Sequence, residues 1–210
     1  MADFNTMQEL LIAADKDKLI QLVNTALAEN VPADDILNQG LIAGMDIVGE
    51  RMENGDMFIP EVLMAAQAMG ECVTILKPLL GDEEASRGAS VLIGTVKGDL
   101  HDIGKNLVAM MMESAGMTVY NLGVDIAPEE FVAQIKEKNV QVVALSALLT
   151  TTMPMMRQTI EAIVEGGLRD QVKILVGGAP VNQEFADQIG ADGFAPDAGS
   201  ASKLAKQLVA

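Results

Sequence analysis

The sequence predicts two structural classes in succession: a bundle of helices, then a parallel sheet with helices on both faces. Three observations carry this. From Asp3 to about Leu80 apolar residues recur only at helical spacing. Beyond Ser90 short apolar runs alternate with amphipathic stretches. Between the two, "GDEEASRGAS" is small, polar and charged, as a linker is. The expected boundaries are 1–82 for the bundle, 83–89 for a linker or hinge, and 90–210 for the sheet domain.

Within the bundle, "DKLIQLVNTALAEN", "PADDILNQGLIAGMDIVGERMENG" and "IPEVLMAAQAMGECVTILKPLL" are the main helices. Pro32 and Pro60 fit first turns, while "ENG" and "LLG" are natural stops. "FNTMQELLIAAD" adds a shorter helix at the front. In the second part the strands are "SVLIGTV", "MTVYNLG", "VQVVALSAL", "VKILVGG" and "ADGFA". The intervening stretches, such as "IGKNLVAMMMESAG" and "PEEFVAQIKEKN", are helical. Apolar strands of this length separated by helices give a Rossmann-like or flavodoxin-like α/β domain with a parallel five-stranded sheet. Ligands of such sheets bind beyond the C-terminal strand ends.

Composition excludes several classes. The chain of 210 residues has a formal net charge of −16 and no basic run, which disfavours nucleic acid and anionic membranes. No uninterrupted apolar run reaches the ~18 residues that a membrane helix needs, and the N-terminus lacks a signal-peptide pattern. The expectation is a cytoplasmic protein. Half of the residues are hydrophobic but only 3% aromatic, so core volume falls to aliphatic residues and 14 Met, a flexible gap-filler. The single cysteine, Cys72, sits at an apolar helical position and reads as a small buried hydrophobe.

His101 is the sole histidine, and it lies in "VKGDLHDIGKN", where the first strand hands over to the first helix of the sheet domain. Zinc sites built from His and Cys need three or four ligands, and the chain has two such residues. A Ser-His-Asp triad lacks its G-x-S-x-G elbow. The phosphate-loop pattern fails because Asn106 stands where Ser or Thr is required. A metal whose other positions are filled by a macrocycle needs only one imidazole. Asp99, two residues away, could hold the second ring nitrogen, and Gly98 and Gly104 could let the backbone approach a bulky planar ligand. A surface histidine capping a helix beside its aspartates explains the spacing equally well.

"GDLHDIG" matches the D-x-H-x-x-G motif of cobalamin-binding domains, "SALLTTT" resembles their S-x-L segment, and "VGGAPV" their paired glycines. Over essentially its whole length the chain resembles the corrinoid proteins of methyltransferase systems. It is similar to the cobalamin-binding module of cobalamin-dependent methionine synthase. The resemblance implies a cobalamin or related corrinoid cofactor, cycling between methylcob(III)alamin and cob(I)alamin. His101 would be the lower cobalt ligand once dimethylbenzimidazole has left. Gly98, Asp99, Asp102, Ile103 and Gly104 would surround it. Ser146, Leu148 and Thr150 would line the channel for the displaced nucleotide tail, with Gly177 and Gly178 giving clearance. Asp99 and Thr152 would complete a proton relay from His101, with threonine in place of the family's serine. Met52, Ile59 and Val62, in "GERMENGDMFIPEV", would cover the upper cobalt face; Met52 departs from the family's frequent aromatic residue.

Implied partners are a substrate-specific methyltransferase, an acceptor methyltransferase using a tetrahydrofolate-type or thiol acceptor, and a reductive activase. Such a methyl carrier is not expected to turn over alone. Three alternatives are weighed at this point: a cobalamin-binding subunit of an adenosylcobalamin-dependent mutase, a corrinoid-sensing module, and a plain flavodoxin-like binding domain without a metal. The last explains the sheet but not the three motifs. The mutase family generally lacks the helical bundle, and a sensor would need an output module that no segment supplies.

Overall fold

The computed structural model describes residues 3–80 and 89–209. Most of the expected hinge, at 83–88, lies outside the described residues. The chain forms two compact units, one built by the N-terminal helices and one by the sheet.

In the first unit, α1 (Phe4–Ile12) starts where the Asp3 carboxylate accepts the N–H of Thr6 at 3.0 Å. Asp15 caps α2 (Lys16–Ala28) in the same way through Lys18. Aspartate suits this position because it satisfies N–H groups with no helical partner and carries charge of the favourable sign. The single regular helix expected over 32–55 is corrected: α3 (Ala33–Asp35) runs into a π-helical segment, Ile36–Ile42, and then α4 (Ala43–Glu53). Pro32 precedes this helix with extended backbone rather than sitting inside its first turn. Pro60 does lie in the first turn of α5 (Ile59–Leu76), where the Glu61 carboxylate accepts the N–H of Phe58 at 2.9 Å.

By length and composition the segment Ile59–Leu79 could pass for a membrane helix, with a mean hydropathy of 1.3 over a membrane-length window, yet it holds no uninterrupted apolar run of ~18 residues. Glu61 and Glu71 interrupt it, which is why no uninterrupted run was visible. Its buried residues, Val62, Ala65, Ala66, Ala68, Met69, Cys72 and Leu76, fall on one face of the helix. One buried stripe is the pattern of a core helix in a bundle.

The second unit is a five-stranded parallel sheet in the order β2-β1-β3-β4-β5. The strands are β1 (Ser90–Thr95), β2 (Thr118–Asn121), β3 (Val142–Ser146), β4 (Lys173–Gly177) and β5 (Gly193–Ala195). The first three crossovers are α6 (Ile103–Ser114), α7 (Pro128–Lys138) and α8 (Met153–Glu165); α9 (Gln183–Ile189) and α10 (Ala198–Val209) follow. In β1 and β3 nearly every residue is buried, as central parallel strands with both faces covered require. Phe131, Ile135, Val143, Met156, Ile160 and Ile174 belong to one continuous core under this sheet. The chain leaves β1 for β2 on one side and then returns to β3 on the other. That reversal opens a crevice at the C-terminal ends of β1 and β3, the usual ligand position of this topology.

Candidate functional site

The site begins where β1 ends. Val96 to Asp99 form a tight turn in which the Asp99 N–H donates to the Val96 carbonyl at 3.1 Å. Gly98 is its third residue, with φ +81. A type II turn needs positive φ there, which is the glycine's first reason to exist. A Cβ at Gly98 would only touch the Thr152 methyl at 3.7 Å, so conformation rather than crowding excludes other residues.

The turn delivers Asp99 into the crevice with no exposed surface. Oδ1 accepts the His101 backbone N–H at 3.1 Å and lies 2.7 Å from His101 Nδ1. Oδ2 accepts the Leu148 N–H at 2.8 Å and the Thr152 hydroxyl at 2.7 Å. Burial alone would raise the Asp99 pKa. The bonds from Leu148, Thr152 and His101 outweigh it and hold the carboxyl well below the usual carboxylate range. An ionised Asp99 only accepts, so the ring proton sits on Nδ1 and leaves Nε2 as the free nitrogen of neutral imidazole. No hydrogen bond reaches Nε2 among the described residues, and the His101 side chain is 51% exposed. The arrangement could supply one metal donor, oriented from behind by a buried carboxylate.

Thr152 immediately precedes α8 and is itself buried. Its hydroxyl reaches Asp99, so the extra methyl relative to serine does not break the His101–Asp99–Thr152 chain. Replacing Thr152 with valine keeps the shape and leaves Oδ2 with one donor. The expected loss is about 1–2 kcal/mol in chemical denaturation, with Thr152→Ser close to wild type; a harmless valine would argue against this bond.

Other expected residues are placed as follows. Ser146 ends β3 between Thr95 and Gly177, and Ala147 N–H donates to the Gly177 carbonyl at 3.2 Å. Gly178 has φ +128, and a Cβ there would lie 1.9 Å from the Ala147 carbonyl oxygen. The S-x-L segment and the paired glycines are therefore in backbone contact. Leu148 joins the cluster through its N–H while its side chain is 41% exposed; Thr150 is exposed, with no hydrogen bond to the cluster among the described residues. Asp102 accepts from the Asn106 side chain at 3.1 Å. Ile103 opens α6 and is 83% exposed. In the first unit, Met52 is half-buried in α4, Ile59 is exposed at the start of α5, and Val62 is fully buried.

Sequence reasoning missed three groups. Thr95, fully buried, donates its hydroxyl to the His101 carbonyl at 2.9 Å. Asp125 accepts the Gly98 N–H at 2.8 Å from the far side of the loop. Lys105, buried by α6, donates to Asn106 and Asn121 at 2.6 and 2.7 Å. Burial lowers its pKa and nearby Asp102 opposes the shift. Polar residues at successive C-terminal strand ends were the available signal.

A B12 binding domain model matches residues 89–203, and a second B12 binding domain model matches residues 4–77. The chain is 44% identical, over the full length of both chains, to dimethylamine corrinoid protein 1 of Methanosarcina acetivorans. The chain belongs to the corrinoid methyl-carrier proteins of methyltransferase systems. Solved structures agree. A crystal structure of a cobalamin-binding protein from Desulfitobacterium hafniense DCB-2 superposes with a TM-score of 0.87 at 32% identity, covering all of both chains. In the methanol:cobalamin methyltransferase complex of Methanosarcina barkeri, one chain matches with a TM-score of 0.83 at 27% identity, over 97% of this chain and 78% of that one.

The cofactor of this corrinoid protein is a cobalamin-type corrinoid, and the residues present suit one. The His101–Asp99 pair offers one oriented nitrogen, which is all that a macrocyclic metal requires. Leu100 (72% exposed), Ile103, Leu148 and Leu149 place apolar surface in the loops after β1 and β3. At Gly104 a Cβ would meet nothing within 4 Å, so the protein itself leaves room there.

Proposed function

We propose that this methyl-carrying corrinoid protein accepts a methyl group at a substrate-specific methyltransferase and delivers it at a second methyltransferase with a tetrahydrofolate-type or thiol acceptor. The observation that carries the site assignment is the 2.7 Å pair between His101 Nδ1 and buried Asp99. Relatives named for dimethylamine and methanol favour a small methylated compound as donor. When bound, the corrinoid supplies a cobalt that takes up and gives up the methyl group.

The protein residues do the rest. His101 would offer Nε2 as the lower ligand, with Asp99 fixing its tautomer and Thr152 holding Asp99. Ser146, Leu148, Thr150, Gly177 and Gly178 would accommodate the nucleotide tail. Gly98, Asp102, Ile103 and Gly104 would border the ring. Met52, Ile59 and Val62 would give an apolar cover that keeps water and oxidants from the reactive face. A reductive activase would return oxidised cofactor to service.

The test is reconstitution with cob(II)alamin followed by electron paramagnetic resonance on protein carrying 15N-histidine. The axial nitrogen splitting should take the 15N pattern in wild type and vanish in His101→Ala. A 14N pattern in both would mean that the cofactor keeps its own base and would refute the ligand assignment.

A further inference from the structure

The loop that bears His101 is also held from the β2 side, by a residue to which the corrinoid reading gives no role. Asp125 lies between β2 and α7 with φ +58. The other described non-glycine residues with positive φ, Ala14, Asn30 and Asn139, each follow a helix, where left-handed backbone is routine. Asp125 does not, and a residue held in this region away from a helix end is one that its surroundings over-determine.

Its contacts show what holds it. The Asp125 carboxylate accepts the Gly98 N–H at 2.8 Å, and Lys97 Nζ donates to the same carboxylate at 3.2 Å. The Asp125 N–H donates to the Asp99 carbonyl at 3.0 Å. Three consecutive residues of the turn are thus tied to one residue from another part of the chain. Asp99 is held on its side-chain end by Leu148 and Thr152, after β3, and on its backbone end by Asp125, after β2.

We propose that Asp125 is a positioning residue for His101, acting through the Lys97–Gly98–Asp99 turn without touching the imidazole. Removing its carboxylate frees the Gly98 N–H, loosens the turn, and lets the Asp99 carboxylate drift from Nδ1. The proposal concerns the His101–Asp99 pair in the protein itself; only its second readout rests on His101 being the cobalt ligand.

Two variants separate side chain from backbone. Asp125→Gly adopts positive φ freely and keeps the N–H to Asp99, but has no acceptor for Gly98. Asp125→Asn tolerates the left-handed region and keeps an acceptor oxygen. The Asp125 side chain is 42% exposed, so neither change opens a core. The first readout uses cofactor-free protein labelled with 15N at histidine and glycine, so that the single imidazole and the Gly98 amide are both observed. Exchange of the His101 Nδ1 proton and the Gly98 amide should accelerate about tenfold in Asp125→Gly, as expected for one lost net hydrogen bond, and stay within about twofold of wild type in Asp125→Asn.

In the second readout, on protein loaded with cob(II)alamin, the fraction showing a protein-nitrogen splitting should fall in Asp125→Gly and return in Asp125→Asn. Unchanged exchange in Asp125→Gly overturns the proposal, and so does equal acceleration in both variants. Wild-type protein that shows no protein-nitrogen splitting, with the exchange result as expected, overturns the cobalt assignment and leaves the positioning role standing.

Discussion

Asp99→Asn will destabilise the cofactor-free protein by about 2–4 kcal/mol, a large part of the total stability of a domain this size. The reason is a count of donors. Asp99 faces four of them: the backbone N–H groups of His101 and Leu148, the ring at His101 Nδ1, and the Thr152 hydroxyl. A carboxylate accepts all four. An asparagine side chain has one oxygen and one NH2 group, so one edge must present donors to donors. If NH2 takes the Oδ1 place it meets the fixed His101 N–H; in the Oδ2 place it meets the fixed Leu148 N–H. The hydroxyl and the imidazole can reverse roles, but the two backbone groups cannot.

The same substitution will flatten the acid limb of stability. The folded Asp99 carboxyl titrates well below its unfolded value of about 3.9, so between the two the unfolded chain binds more protons. Its contribution is therefore full above about pH 4 and is lost as the pH falls toward the depressed folded value. Urea denaturation of wild type and Asp99→Asn between pH 2.5 and 7 should show the difference shrinking on the acid side. A difference that stays constant down to pH 2.5 would sink this account of Asp99.

Gly178→Ala has an even larger expected effect, about 3–5 kcal/mol. Two costs combine. A backbone φ of +128 lies in a region open almost only to glycine. The new Cβ would also sit 1.9 Å from the carbonyl oxygen and 2.8 Å from the carbonyl carbon of fully buried Ala147, neither of which can swing aside. The ends of β3 and β4 must separate, and Ala147 N–H loses its 3.2 Å bond to Gly177. Thermal melting should fall by well over ten degrees, if the variant folds at all. Gly104→Ala is the matched control. Its Cβ meets nothing and its backbone is helical, so the cofactor-free protein should melt within a degree or two of wild type. Comparable losses in both variants would mean that crowding at Ala147 is not the cause.

Much of this was legible in the sequence for identifiable reasons. Central parallel strands are continuous apolar runs, so "SVLIGTV" and "VQVVALSAL" stood out, and proline and asparagine marked helix ends. The π-helical segment at Ile36–Ile42 was not legible, because it carries the same apolar residues as an α-helix and differs only in how the backbone bonds close. At the site, Asp99 followed from its spacing to His101 as well as from the motif, and Thr152 from the motif resemblance alone. Asp125 was invisible because its partner lies across the sheet, 27 positions away at Gly98, and only the strand order makes them neighbours. Thr95 bonds six positions ahead, to the His101 carbonyl, but as a β-branched residue ending β1 it carries no mark beyond that of a strand. Gly98 was read as clearance for a ligand, whereas its turn requires it without one.

The interior place of β1 has a practical meaning for protein engineering. A loop leaving an edge strand can lean on one neighbour, but this one is braced on both flanks, from beyond β2 by Asp125 and from beyond β3 by Leu148 and Thr152. Transplanting the heptapeptide "GDLHDIG" alone onto another scaffold would carry the imidazole and leave its scaffolding behind. A faithful graft has to bring three adjacent strand termini together, and a host sheet whose recipient strand lies at the margin cannot provide them.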